Sequence, residues 1–326
     1  MNRFFAGALA LMFSACLSAG GARADEDNYP SRQITLIAGF PAGSGADVYA
    51  RFFARKLEEA LKQTVIVENK PGGLGSLSVV ALKNAKPDGY TMLIGSADQF
   101  TAAPHVFQNP PYDPLKDFDY VAPVFSQAFM MLVNAKSPYM HISDLTKAMK
   151  EKGDKASYAT PNFPATILAE MYKANAGGLD TLQVRYKTSA DTLNDFSSGA
   201  IDYMVGDPVF GLARSRDGTL RILAVSTAKR ISSVPDIPTF EEEGVPNVDV
   251  RIWWVLAAPK GTPKPILEKM HKVMTEVTTS DDARKFVGTN GGEPMTLDSP
   301  QATLDYATMD VKRWEEWAKI GKIEKQ

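Results

Sequence analysis

Ile34-Thr35-Leu36-Ile37-Ala38, Gly39-Phe40-Pro41-Ala42-Gly43-Ser44-Gly45 and Ala46-Asp47-Val48-Tyr49 run together as a β-branched stretch, a glycine-bearing loop and the opening of a helix. The first stretch reads as a buried strand. From about Ala46 to Leu61 the apolar positions keep a helical period: Tyr49, Phe52, Phe53, Leu57 and Ala60 share one face, and Arg51, Arg55, Glu58 and Lys62 hold the other. That pattern assigns the aromatic residues to a core. Continuing outward, Thr64 to Glu68 reads as a strand, a helix follows Gly75, and Tyr90 to Gly95 is a further strand. A β-α-β-α-β order implies a parallel sheet with helices on its faces, so the fold class is α/β.

In such a sheet the ligand crevice lies beyond the C-terminal ends of the strands, which is where Gly39 to Asp47 falls. Gly43 and Gly45 permit close backbone approach, and the helix start offers unpaired N–H groups and the positive end of its dipole. A small anion is the natural occupant. Asp47 has a second reading, as the residue that orders its own loop by accepting nearby N–H groups. A dinucleotide site fits poorly. Val48 stands where the third fingerprint glycine belongs, Phe40-Pro41-Ala42 separates the glycines from the strand, and Gly73-Leu74-Gly75 has Ser78 at its third position. Two more loops follow strands, Gly95-Ser96-Ala97-Asp98-Gln99 and the stretch Tyr158 to Thr166. Facing the first loop across a cleft, they would supply the remaining polar contacts of a small ligand.

A second series of elements follows: strands at Phe129 to Val133, ending at Ala159, and at Leu182 to Tyr186, Ile201 to Val205 and Leu220 to Ser226, with helices near Ser143 to Lys152, Ala165 to Ala176 and Ala190 to Phe196. Two lobes result. The Pro-rich region from Pro104 to Pro123 reads as an extended connection between them. Trp253 to Ala257 reads as a strand, and the C-terminal third as helical.

Bulk properties narrow the function. Asn2-Arg3, the apolar run Phe4 to Leu17 and Ala22-Arg23-Ala24 form a secretory signal peptide over residues 1–24. The apolar run is shorter than the roughly 20 residues a spanning helix needs. Cys16, the single cysteine, falls inside it, so disulfides and thiolate chemistry are excluded from a mature chain. Phe13-Ser14-Ala15-Cys16 resembles a lipoprotein box, but Phe13 fits its aliphatic first position poorly, which disfavours lipidation at Cys16. A net charge of −2 argues against a nucleic-acid surface. His105, His141 and His271 show no metal-ligand spacing, and no nucleophile elbow or phosphate-binding loop occurs, so neither metal nor cofactor is expected. Spacing alone leaves open a hydrolase using two of Asp47, Asp98 and Asp207.

The ordered motifs Phe40-Pro41-Ala42-Gly43 with Asp47, Val67-Glu68-Asn69-Lys70-Pro71-Gly72, Pro87-Asp88-Gly89-Tyr90-Thr91, Pro111-Tyr112-Asp113-Pro114, Pro235-Asp236-Ile237-Pro238-Thr239 and Ala258-Pro259-Lys260-Gly261-Thr262-Pro263 resemble the extracytoplasmic solute receptors of tripartite tricarboxylate transporters, the TctC or Bug-type family. The resemblance extends over essentially the whole mature chain. It implies a two-lobed periplasmic-binding-protein (Venus-flytrap) fold, each lobe a mainly parallel sheet flanked by helices, with residues 31–124 plus 226–326 in the first lobe and 125–225 in the second. It implies a periplasmic, monomeric and non-catalytic receptor that captures a di- or tricarboxylate or an aromatic carboxylate and delivers it to membrane permease subunits. The alternatives are a periplasmic hydrolase or lyase on the same clamp, or a sensor subunit.

Carried onto this chain, the family's clamp comprises Phe40, Ala42, Gly43, Ser44, Gly45, Ala46 and Asp47, then Ser96, Ala97 and Asp98. Thr160, Asn162, Phe163, Ala165, Thr166, Tyr186 and Asp207 complete it. Departures gather in the second lobe: Pro161, Phe163 and Pro164 replace Gly- and Ser-rich sequence, and Thr188 follows Tyr186-Lys187 where glycine is usual. Phe163, with Phe210 and Trp253 or Trp254, suggests room for an apolar body behind the carboxylate, or else core packing. Arg185, Lys187 and Arg251 read as partners for a second carboxylate or as surface ion pairs.

Overall fold

A computed structural model describes residues 28–231 and 234–325. The expected signal peptide and Cys16 lie outside the described residues. The chain begins with β1 (Ile34–Ala38), α1 (Gly45–Leu61), β2 (Val65–Asn69), α2 (Ser76–Lys83), β3 (Thr91–Ser96), two short helices α3 (Asp98–Thr101) and α4 (Ala103–Val106), and β4 (Phe118–Gln127). There follow β5 (Met130–Asn134), α5 (Ile142–Lys152), β6 (Ala156–Thr160), α6 (Phe163–Asn175), β7 (Thr181–Arg185), α7 (Leu193–Ser198), β8 (Tyr203–Gly206), α8 (Pro208–Arg216) and β9 (Leu220–Val225). The last part is β10 (Ile252–Pro259), α9 (Lys264–Thr279), α10 (Asp281–Thr289), β11 (Gly292–Pro294) and α11 (Pro300–Ile320).

The strands form two helix-flanked sheets, ordered β11-β4-β10-β3-β1-β2 and β7-β6-β8-β5-β9. Both are mixed. In the first, β1 pairs in parallel with β2 and β3, and the antiparallel strands β10, β4 and β11 complete it. In the second, β6, β7 and β8 are parallel, while β5 runs against β8 and β9. The chain leaves β1 for β2 on one side and returns to β3 on the other. The topological switch point of the first sheet therefore lies between β1 and β3, just where the loop from Gly39 begins.

Helix α1 forms where its period requires. Tyr49, Phe52, Phe53 and Leu57 are buried; Ala60, at the end of the stripe, is exposed. Tyr49 stacks on Phe125 with ring centroids 4.3 Å apart, and Phe52 on Phe286 at 3.8 Å. Each such ring contributes about 1.5–3 kcal/mol through removal from water, which pins α1 to β4 and α10. The Pro-rich region is less extended than expected. Pro104 sits in the first turn of α4, where its missing N–H costs nothing, and Phe118–Gln127 is an internal strand of the first sheet. Pro123 is opposite Val255, with irregular register between Trp253 and Val255 and between Leu256 and Ala257. Such interruptions let a residue without an N–H occupy a ladder.

Between the sheets, Ser226 ties three strand segments together. Its hydroxyl donates to Val250 O at 2.6 Å and accepts the Phe129 N–H at 2.8 Å, while its N–H donates to Phe129 O at 2.9 Å. Helix α11 spans both bodies. Ala307 packs with Phe118 and Trp253 of the first sheet, whereas Trp314 and Trp317 enter the apolar cluster of Tyr158, Ile167 and Tyr172 in the second.

Candidate functional site

Helices α1, α6 and α8 start at loops directly after β1, β6 and β8, and each start carries a side-chain cap. Ser44 Oγ accepts the Asp47 N–H at 3.3 Å, Asn162 Oδ1 the Ala165 N–H at 3.0 Å, and Asp207 Oδ1 the Phe210 N–H at 3.0 Å. Each cap satisfies one of the first-turn donors that a helix leaves unbonded.

In the loop before α1, Gly43 has φ +80°, a left-handed conformation that suits glycine. Its N–H donates to Asp47 Oδ2 at 2.9 Å, and the same carboxylate accepts Arg51 Nε at 2.8 Å and Asn69 Nδ2 at 2.8 Å. Asn69 Nδ2 also donates to Phe40 O at 3.0 Å. Asp47 is 3% exposed, and these bonds fold the loop around it. Burial works against its charge, but the bonds from Arg51, the Gly43 N–H and Asn69 outweigh it and hold the carboxyl below the usual range. The loop-ordering reading of Asp47 is the one its bonds describe. They take up the amides of Gly43 and Asp47; those of Gly45 and Ala46 go to no cap. Phe40 stacks on the buried Trp254 at 5.5 Å, which anchors the start of the loop to the core.

Across from this loop stands the start of α8. A Cβ placed on Gly45 would lie 2.6 Å from Asp207 Oδ1 and 3.0 Å from Val209 Cβ, so bare backbone meets the second sheet's helix here. Asp207 Oδ2 accepts Ser189 Oγ at 2.7 Å. The seam continues where Arg216 Nη2 donates to Thr289 O at 3.3 Å. Of the expected site residues, Gly45 and Asp207 are brought together directly from the two bodies.

The others are engaged closer to home. Ser96 Oγ donates to Asp98, and Ala97 is buried with its N–H bonded to Trp253 O at 2.9 Å. Thr160 Oγ1 and Thr166 Oγ1 lie 3.1 Å apart and both accept Gln183 Nε2 at 2.8 Å. Phe163 and Ala165 are buried in the cluster under α6, and Tyr186 donates its hydroxyl to Asp195. Burial, reinforced by Asp195, pushes the Tyr186 phenol up to about 12. Trp253 and Trp254 point to opposite faces of β10, Trp253 Nε1 donating to Asp310 at 3.0 Å and Trp254 stacking on Phe125 at 5.0 Å. Both are core residues. Arg251 pairs with Asp249 at 3.2 Å.

Ser189 and Val209 lie against Asp207 and Gly45 without having been singled out, and Gln99 enters the sequence reading only as the end of its loop. Thr188 and Asp191 form a capping box beside Tyr186, a signal that marks Ser189 as a helix start. Gln99 fills the crevice between β1 and β3, where a Cβ on Gly39 or Gly95 would overlap its amide. Helix α8 itself follows Gly206-Asp207-Pro208, a cap and an N1 proline. Its apolar stripe is too short to announce it, since only Pro208, Gly211 and Leu212 are buried.

Asp98 gives the site region a pH dependence. Burial pushes its carboxyl up to about 6, the Ser96 bond opposing and the neighbouring Asp310 adding to the rise. Below about pH 4 the folded and unfolded states both hold the proton. Between there and about 6 the unfolded chain ionises first, so stability falls as pH rises and then levels off. Asp47 acts with the opposite sign, contributing above its unfolded pKa and losing that contribution as pH falls through its lowered folded value. Asp98→Asn is expected to flatten the decline between about pH 4 and 6 in urea midpoints; an unchanged profile would mean that Asp98 does not titrate there.

Among proteins of known relationship, the family model described as tripartite tricarboxylate transporter family receptor matches residues 49–322. A UPF0065 protein of Bordetella bronchiseptica is 33% identical over 272 residues, covering 82% of this chain and 80% of the relative. The solved periplasmic binding protein BugD superposes with TM-score 0.83 at 30% identity, over 91% of this chain and 100% of that one. Rpa4515 of R. palustris, solved with adipate, gives TM-score 0.85 at 27% identity, over 92% and 100%. The two helix-flanked sheets are thus a periplasmic-binding-protein fold, and the chain belongs to the tripartite tricarboxylate transporter receptor family, whose members are solute-binding receptors rather than enzymes.

Proposed function

We propose that this protein is a periplasmic receptor whose two lobes close on a small organic carboxylate and pass it to the permease subunits of a tripartite transporter. The observation that carries the reading is the loop before α1. At the topological switch point, the Gly45 and Ala46 amides remain free of caps at a helix N-terminus, facing α8 of the other sheet. Adipate in the related Rpa4515 supports the same ligand class. In this reading Phe40, Ala42, Gly43, Ser44, Gly45 and Ala46 form one jaw, with Asp47 bracing it from behind. Ser96 to Asp98 flank it, and Thr160 to Thr166, Tyr186 and Asp207 form the other. The first lobe comprises about residues 31–124 and 226–326, the second 125–225, and the Ser226 ladder is the hinge between them. Residues 1–24 direct export.

Closure excludes water and strengthens hydrogen bonds from the loop amides to the ligand. A thermal-shift and calorimetric screen of mono-, di- and tricarboxylates, aromatic acids, cations and sugars tests the reading. A matching acid at about 100 times its Kd should add roughly 2.7 kcal/mol of stability. Binding of a sugar or a cation with no response to any acid would sink it.

A further inference from the structure

We propose that Asp207 is the specificity residue for the group beside the ligand's carboxylate, selecting acids that carry a hydrogen-bond donor there: 2-hydroxy or 2-amino acids. This rests on the carboxylate-clamp reading and names its ligand class. Asp207 Oδ1 abuts Gly45, whose amide is one of the two uncapped donors of the first jaw. A ligand carboxylate held by Gly45 and Ala46 therefore lies next to a second carboxylate. Ser189 Oγ at 2.7 Å and the Phe210 N–H at 3.0 Å fix Asp207 from behind, so it does not swing away. Among the described residues no lysine, arginine or histidine pairs with it; its charge is held by the helix start and the Ser189 hydroxyl alone, at the seam.

Two carboxylates in that position repel. The conflict is removed when the ligand places a donor between them. A hydroxyl or ammonium on the carbon next to the ligand's carboxylate does this, and Asp207, with about four lone-pair sites of which two are used, accepts it. Acids without that donor leave the repulsion in place. Asp207 thereby discriminates by attraction toward one class and repulsion toward the other.

Matched pairs test this in calorimetry: propionate and lactate, succinate and malate, glutarate and 2-hydroxyglutarate, phenylacetate and mandelate. The protein is expected to prefer the hydroxylated member of the pair it accepts by roughly tenfold or more. Asp207→Asn keeps the helix cap, since Asn caps as well as Asp, but removes the charge. The variant should bind the plain acid more tightly than the parent does and narrow the preference to about threefold or less. Equal losses for both members would assign Asp207 a merely structural role, and equal affinities in the parent protein would likewise overturn the inference. Failure of all eight acids to bind would overturn this inference, and binding of a sugar or a cation with no response to any acid would overturn the clamp reading as well.

Discussion

Asp310→Ala is expected to destabilise the protein by about 3 kcal/mol, near the lower end of what removing one partner of a buried ion pair costs. Asp310 is 2% exposed and accepts three different donors: Thr101 Oγ1 at 2.7 Å, Trp253 Nε1 at 3.0 Å and Arg313 Nε at 2.9 Å. Alanine takes the acceptor from all three, although the Thr101 hydroxyl can turn to Ala97 O at 2.9 Å. The indole N–H and the threonine hydroxyl lose a buried acceptor, and Arg313, packed against Tyr306 and Trp317, loses its counter-charge. The cost stays near the lower end because the Arg313 side chain is one-third exposed. These bonds also fasten α11 to α3 and β10. Asp310→Asn retains an acceptor and should cost clearly less. Urea denaturation of both variants checks the account, which fails if alanine is tolerated within about 1 kcal/mol.

Gly45→Val should leave folding nearly intact and reduce ligand affinity by about 100-fold or more, equivalent to roughly 2.7 kcal/mol. The new Cβ would stand 2.6 Å from Asp207 Oδ1 and 3.0 Å from Val209 Cβ, closer than side chains approach, so the seam must part. Gly45 is not left-handed, and valine at the first helical position strains nothing. Gly43→Val provides the opposite case in the same loop. Its φ of +80° makes a side chain costly by about 1–2 kcal/mol, yet among the described residues nothing lies within 4 Å of the added Cβ. One glycine thus reports on closure and the other on loop stability. Undiminished binding by a folded Gly45→Val protein would remove the Gly45–Asp207 seam from the site.

Much of this molecule is legible without coordinates, for reasons that differ by element. The stripe of Tyr49, Phe52, Phe53 and Leu57 declares α1 because a helix buries one face, and the post-strand position of Gly39 to Asp47 marks the crevice because parallel strands end together. The antiparallel half of the first sheet is not legible. Trp254 pairs with Ser96 across a long separation in the chain, and no local period encodes that partner. Strand β4 hides behind Pro123, whose place in a ladder depends on irregularities in β10. The approach of Asp207 to Gly45 is likewise a tertiary fact: cap residues look alike in sequence whether or not a second jaw stands opposite.

Strands β3 and β4 follow one another in sequence, yet β10 lies between them. A chain synthesised only to residue 251 holds both strands with the slot between them unfilled, while all five strands of the second sheet are already present. Unfilled edges invite pairing with other chains. The nascent protein therefore carries two exposed templates for aggregation until its C-terminal quarter arrives, and a truncation between Val225 and Ile252 makes that state permanent.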